Sequence, residues 1–256
     1  MIIYYIIIII IVILILLLLI YYNINNEINN EFTNENVTIE MVIARYNENL
    51  DWLEQEPFNS YNSIVYNKGI NDTFNKHNVK NIIQLKNVGR CDHTYLYHII
   101  NNYDNLTDLT IFLPGSLPDK IHKANLIFNK LKTHKNTIFN ASYYNNVKDD
   151  MYNFQLNLWK ASNINNNVLN PEQDLELSPI RPFGKWFENK FGNLVIHYIS
   201  YQALMCISKT HILQNSKDHY INLIKELENS SNPEVGHYIE RSWEAIFYPL
   251  TNAIIC

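Results

Sequence analysis

The chain begins with a long apolar run that carries no charge. Residues 2–22 read "IIYYIIIIIIVILILLLLIYY", and a helix of this length rises roughly 30 Å, enough to cross the hydrocarbon core of a bilayer. Tyrosine pairs at both ends suit the two membrane interfaces. A cleaved signal peptide fits less well, because the run is too long and no small-residue cleavage site follows it. The sequence therefore predicts a transmembrane signal anchor over residues 1–22.

The segment after this run is polar and rich in asparagine. Residues 23–37 contain too few apolar side chains for a core, which predicts a stem. No Lys or Arg precedes Arg45, and the acidic stem permits a lumenal or extracellular C-terminal domain. The chain would then be a single-pass type II membrane protein whose first partner is the lipid bilayer. Five glycosylation sequons fit that placement: Asn36, Asn71, Asn105, Asn140 and Asn229.

Composition excludes some function classes for the remaining residues. The formal net charge is -5, and no Lys/Arg-rich stripe or zinc-finger spacing is present, so nucleic acid is not an expected partner. The three cysteines are widely spaced and form no CxxC, which predicts neither a disulfide framework nor a metal knuckle. Residues 38–256 are long enough for one sizeable core.

Strand and helix patterns alternate over much of this domain. "VTIEMVIA", "SIVYN", "NIIQL" and "DLTIFLPGS" are typical of short buried strands, and "GRCDHTYLYHIINNY" has helical spacing with Asp92 as the expected N-cap. This alternation predicts an α/β fold with a mostly parallel central sheet flanked by helices. Residues 145–191 show few clear periods and are expected to form an irregular insertion.

Polar side chains follow the expected strands, where open α/β sheets bind ligands. Arg90 opens a helix, where free N–H groups favour a phosphate and a guanidinium can bind it in a fork. The alternative for each such residue is an ordinary exposed loop or a capping turn. Cys91 lies at the same helix start, where a thiolate would be stabilised, but no histidine can be placed beside it.

The last apolar pattern, "NPEVGHYIERSWEAIF", predicts one helix capped by Asn232 with Pro233 as its first residue. Helical spacing puts His237, Glu240 and Glu244 on one face. Burial beside Tyr238 and Trp243 would raise the pKa of a carboxyl group towards that of a useful base. The alternative is a structural ion pair between Glu240 and Arg241.

Four motifs, in order, carry a resemblance: "VIARYNENLDWL", "IVYNKG", "NVGRCDHTYLYHIINNYDNLTDLTIFLPGS" and "NPEVGHYIERSWEAIF". Over roughly residues 38–250 the chain resembles an uncharacterised domain-of-unknown-function family regarded as glycosyltransferase-like, distantly similar to GT-A glycosyltransferases. The resemblance implies a GT-A-like fold and transfer of a sugar from a nucleotide-sugar donor to a hydroxyl of a glycan acceptor. The alternative is a catalytically inactive, membrane-tethered carbohydrate-binding or surface protein with the same fold.

If the domain transfers sugars in this way, its residues at strand ends and in the last helix can be assigned roles. Glu240 would be the catalytic base, supported by Arg241 and His237. The donor site would be formed by Arg45, Asn47, Glu48, Lys68, Arg90, Asp92 and His93.

One departure concerns the metal that GT-A enzymes hold with an Asp-x-Asp after a central strand. The corresponding place reads "FLPGSLPD", in which Asp119 is a lone carboxylate and a weak metal candidate, and Asp174-Leu-Glu176 lies in the insertion instead. Three alternatives stay open. Manganese or magnesium is held differently, or Arg45, Lys68 and Arg90 neutralise the leaving diphosphate, or catalysis has been lost.

Overall fold

A computed structural model describes residues 37–156 and 175–256 of the protein. The anchor expected at 1–22 and the stem up to residue 36 lie outside the described residues. Within the described ranges, no helix is both long and apolar enough to cross a membrane. The described chain forms a folded unit that begins at Thr38.

A seven-stranded sheet runs through this unit. Its strands are β1 (Ile39–Arg45), β2 (Asn62–Asn67), β3 (Val79–Gln84), β4 (Leu109–Pro114), β5 (Ile138–Phe139), β8 (Met205–Ser208) and β9 (Ile254–Ile255). The spatial order is β3-β2-β1-β4-β8-β5-β9. The first four strands are parallel to one another, and β8 is antiparallel to both of its neighbours. A separate two-stranded sheet joins β6 (Ser142–Tyr143) to β7 (Tyr198–Ile199).

Helices pack against this sheet. They are α1 (Arg90–Asn102), α2 (Ile121–Leu131), α3 (Val147–Asp150), α4 (Phe183–Phe191), α5 (Lys209–Leu213), α6 (Lys217–Ile224), α7 (Glu234–Glu240) and α8 (Trp243–Ile246). Short 3-10 turns lie at Asp51–Glu54, Phe58–Ser60, Leu117–Lys120, Tyr201–Ala203 and Lys225–Leu227. The prediction of a mixed α/β fold with a mostly parallel sheet flanked by helices is confirmed.

The central strands are apolar because both faces of the sheet are covered. Val42 and Ile43 of β1, and Ile111 and Phe112 of β4, are completely buried, as expected for parallel strands between helical layers. The ring of Tyr95 in α1 lies 4.8 Å from that of Phe112. The core therefore sits directly beneath the helix that opens with Arg90.

The segment expected to be irregular, 145–191, contains regular structure where it is described. Helix α4 buries Phe183, Trp186 and Phe187, which recur at helical spacing and form one stripe. The Trp186 ring lies 5.6 Å from that of Tyr238 in α7. This part of the segment is thus a helix packed on the C-terminal region, while residues 157–174 lie outside the described residues.

The single C-terminal helix expected from the sequence is broken in two. Helix α7 ends at Glu240 and α8 begins at Trp243, with the Ser242 hydroxyl donating a hydrogen bond to the Tyr238 carbonyl oxygen at 2.8 Å. A serine side chain that bonds the main chain in this way competes with the helical ladder. Glu240 and Glu244, expected on one face of a single helix, therefore lie in separate helices: Glu240 accepts the Gln202 N–H, and Glu244 accepts the N–H groups of His197 and Tyr198.

Candidate functional site

The sheet order changes direction between β1 and β4. From β1 the chain adds β2 and β3 on one side and then returns to place β4 on the other. Open α/β sheets bind ligands beyond the carboxyl ends of the strands at such a point. A pocket that is partly open to solvent lies at this end. It is lined by residues of α1, of the segment after β4, and of the C-terminal region: Arg90, Cys91, Asp92, Pro114, Ser116, Lys120, Gln202 and Glu240.

An unusual backbone conformation leads into α1 and sets the position of Arg90. Gly89 and Arg90 both have left-handed φ angles, 59° and 55°, and for a non-glycine residue this costs on the order of 1 kcal/mol. Three hydrogen bonds hold the turn. The Gly89 N–H donates to the Ser230 carbonyl at 2.8 Å, and Lys68 Nζ donates to the carbonyl oxygens of Val88 and Arg90.

Lys68 is almost fully buried, at 8% exposure, and burial lowers its pKa to about 7. Its ammonium group bonds the main chain that leads into α1. This arrangement positions Arg90, whereas the sequence led us to expect direct donor binding by Lys68. The helix begins at Arg90 with Gly89 as its N-cap, so the prediction of Asp92 as N-cap is wrong.

The Arg90 side chain joins the pocket to the C-terminal region. Its Nη1 donates to Asn232 Oδ1 at 3.2 Å and lies 3.4 Å from Nε2 of His237. His237 is buried, and burial together with the charges of Arg90 and Arg241 lowers its pKa to about 2. The imidazole is therefore neutral and can accept a hydrogen bond from a guanidinium.

Two carboxyl groups from distant parts of the chain reach the pocket. Asp92 is 4% exposed, and its Oδ1 accepts a hydrogen bond from Trp243 Nε1 at 3.1 Å. Burial, then the charge of Glu240, raise the pKa of Asp92 to about 7, against the opposing charge of Arg90. Glu240 accepts the Gln202 N–H at 2.7 Å and lies 3.5 Å from Arg241. Glu240 is among the residues that line the pocket.

The remaining residues expected at the donor site do not line this pocket. Arg45 is buried, donating to the Glu48 carbonyl at 2.6 Å and to Asn67 Oδ1 at 2.6 Å, with its guanidinium 4.1 Å from the Phe74 ring centre. These contacts hold the loop after β1. Asn47 in the same loop is exposed, and the Glu48 carboxylate accepts the N–H groups of residues 46 and 47.

Two further expected residues are also held in structural contacts. His93 stacks on Tyr97, and burial lowers the pKa of His93 to about 3. Arg241 lies 3.6 Å from the Phe154 ring centre and donates to the His237 carbonyl. Arg241 thus packs behind Glu240, outside the pocket lining.

The side chains expected to hold a metal do not assemble. Asp119 is exposed at the turn after β4, and within residues 37–156 and 175–256 no group of three or more His, Cys, Asp or Glu side chains could hold an ion. Within those ranges the side chains therefore do not build a cation site from protein ligands alone, and Asp174 lies outside the described residues. Cys91 lines the pocket, but burial raises the pKa of its thiol to about 11, so the stabilised thiolate considered from the sequence is not formed.

The sequons occupy different environments. Asn71, Asn105 and Asn229 are exposed. Asn140 is partly buried and donates to the Cys256 carbonyl at 3.1 Å. Asn36 lies outside the described residues. Three of the four acceptor side chains in the described residues are therefore accessible.

Sequence reasoning missed Lys120, Ser116, Gln202 and Glu234. Lys120 donates to Ser116 Oγ at 3.2 Å on the pocket side of the turn after β4, and Gln202 reaches the pocket from a turn where its φ is 68°. The Pro-Gly turn at the end of β4 was the available signal for Lys120 and Ser116. Glu234 is completely buried and forms an ion pair with Arg181 at 2.8 Å. Because Glu234 lies at a helix start, where carboxylates are common, the sequence did not indicate its buried ion pair with Arg181.

One comparison with known proteins identifies a family. Residues 41–256 match the model of a family described as "Protein of unknown function (DUF3431)". No curated protein matches the chain. The match covers nearly all of the described domain, from the first strand to the last residue. The chain therefore belongs to the DUF3431 family of proteins of unknown function.

Proposed function

We propose that this protein is a membrane-anchored glycosyltransferase with a GT-A-like domain, moving a sugar from a nucleotide-sugar donor to the hydroxyl of a glycan acceptor. The observation that carries the proposal is the pocket at the carboxyl ends of the parallel strands, where cations and carboxyl groups from separate elements meet. Sugar transfer requires both kinds of group. Cations stabilise the departing diphosphate, and a carboxylate accepts the proton of the attacking hydroxyl.

The donor diphosphate would bind on the side of the pocket formed by Arg90 and Lys120. Arg90 stands at the start of a thirteen-residue helix, where main-chain N–H groups and the helix dipole attract phosphate. Lys120 adds a second positive charge from the turn after β4. Lys68 supports the site indirectly, through the main chain that carries Arg90.

The acceptor would approach from the side of Glu240. The Gln202 N–H and the Arg241 guanidinium hold this carboxylate, while neutral His237 fixes Arg90 beside it. Asp92 and Glu240 are the two pocket carboxyl groups that could accept the proton. No step is assigned to manganese or magnesium, because the described side chains do not build a site for either.

Calorimetric titration of the full-length protein with a panel of nucleoside-diphosphate sugars, with and without manganese, tests the proposal. We expect at least one donor to bind in the pocket and to release its nucleotide when a glycan acceptor is supplied. If no donor in the panel binds, the proposal is refuted.

We also propose that residues 2–22 anchor the protein and that the folded domain is lumenal or extracellular. The uncharged run and acidic stem support this orientation. In sealed microsomes, protease should digest the folded domain only after detergent is added, and glycans should be found on exposed sequons such as Asn71. Digestion without detergent would contradict the orientation.

A further inference from the structure

The two carboxyl groups of the pocket differ in what supports them. Asp92 is 4% exposed, and its side chain accepts a hydrogen bond from the uncharged indole of Trp243. Glu240 has a 19% exposed side chain, a main-chain N–H on one oxygen and a guanidinium 3.5 Å from the other. Negative charge is therefore better supported on Glu240 than on Asp92.

We propose that Asp92 and Glu240 form one acid–base pair, in which Asp92 takes the proton of the acceptor hydroxyl and Glu240 tunes the basicity of Asp92. This assignment rests on the proposed function of the pocket. It departs from the sequence-based expectation, in which Glu240 itself is the base. Asp92 is the catalytic residue of the pair, and Glu240 acts through it.

Burial and the neighbouring Glu240 raise the pKa of Asp92 to about 7. A base is most effective when its pKa lies near the working pH, because it is then largely deprotonated yet still binds a proton firmly. The groups that face Asp92 or act on its charge are Arg90, Cys91, Lys68, Tyr95, Trp243 and Glu240. Of these, Glu240 is the one that raises the pKa of Asp92 by charge, which makes it the tuning partner.

These groups account for every bond, proton and electron pair in the transfer step. The O–H bond of the acceptor breaks and its proton moves to a carboxylate oxygen of Asp92. The electron pair of that O–H bond stays on the acceptor oxygen, which forms the new bond to the anomeric carbon of the donor sugar. The bond from this carbon to the diphosphate breaks, and its electron pair leaves with the diphosphate beside Arg90 and Lys120.

The first test needs no substrate. In full-length protein labelled with ¹³C at Asp and Glu carboxyl groups, we expect one signal that titrates near pH 7, is absent in Asp92→Asn, and moves to lower pH in Glu240→Gln. The exposed Asp119→Asn substitution is the control and should leave that signal unchanged. A pKa of Asp92 in the ordinary range of about 4, or one insensitive to Glu240→Gln, would overturn the pair.

The second test uses the pH dependence of transfer. Wild type should lose turnover as the pH falls through about 7, and Glu240→Gln should move this limb to lower pH. Asp92→Asn should lower turnover by about a hundredfold or more while still binding donor. Full turnover by Asp92→Asn would overturn the inference and leave the proposed function standing. If no donor supports transfer, even though the Asp92 signal titrates near pH 7 and responds to Glu240→Gln, then both the inference and the proposed function are overturned.

Discussion

At the scale of single residues, Glu234 shows how a carboxylate organises the region around the pocket without entering it. Its side chain accepts the Leu156 N–H at 2.7 Å and the Ser178 N–H at 2.9 Å, and it pairs with Arg181 at 2.8 Å. Glu234, the first residue of α7, therefore holds Leu156 on one side of residues 157–174 and Ser178 on the other.

Replacing this charge should be costly. Glu234→Gln keeps the size of the side chain but leaves Arg181 without its charge partner, and breaking a buried pair costs about 3 kcal/mol. The melting temperature should fall by roughly 5–10 °C. The matched control is Glu188→Gln, which removes a partner of Lys148 from an exposed pair at 3.4 Å and should cost less than about 1 kcal/mol. Equal shifts for both variants would mean that Glu234 contributes no more than a surface charge.

At the scale of elements, α1 is joined to the sheet by a buried polar cluster. His98 of α1 is completely buried, with Nδ1 3.0 Å from the Tyr66 hydroxyl of β2 and Nε2 3.6 Å from Glu40 of β1. Burial lowers the pKa of His98 to about 4 and raises that of Glu40. Both shifts favour the uncharged forms of these side chains.

This cluster predicts a pH-dependent stability. The folded pKa of His98, about 4, is below the unfolded value of about 6.5. The neutral ring therefore favours the fold above pH 6.5, and that contribution of at most about 3 kcal/mol is lost as the pH falls from 6.5 to 4. Urea unfolding of wild type and His98→Gln over this range isolates the effect, because Glu40 is present in both proteins. The difference in unfolding free energy should shrink by at least 1 kcal/mol, and a constant difference would contradict the assignment.

The sequence predicted the elements whose hydrophobic periodicity follows from burial alone. Strand β1 and helix α1 show the periods of a covered sheet and a half-buried helix, so their positions were predicted to within a few residues. The break after Glu240 was missed because it depends on the hydrogen bond from Ser242 to the main chain. Helix α4 was missed because its aromatic stripe lies between segments with little periodicity.

At the scale of the whole molecule, the strand order decides which polar residues meet. Arg90 and Asp92, which follow β3, and Glu240, from the C-terminal region, line one pocket. The sequence could not show that Arg45 folds back into its own loop, or that Gln202 and Lys120 complete the pocket. Those outcomes depend on contacts between segments far apart in the chain, which no local pattern encodes.

The most direct measurement of the central claim is a calorimetric titration of the full-length protein and two charge-matched variants with a nucleoside-diphosphate sugar. Arg90→Gln removes the guanidinium at the pocket, and Lys132→Gln removes an exposed charge just after α2. We predict that wild type and Lys132→Gln bind the donor with equal affinity. Arg90→Gln should bind at least tenfold more weakly, since a charge-assisted fork to phosphate is worth about 1.5–3 kcal/mol. Equal binding by all three proteins, or no binding by wild type, would contradict the account.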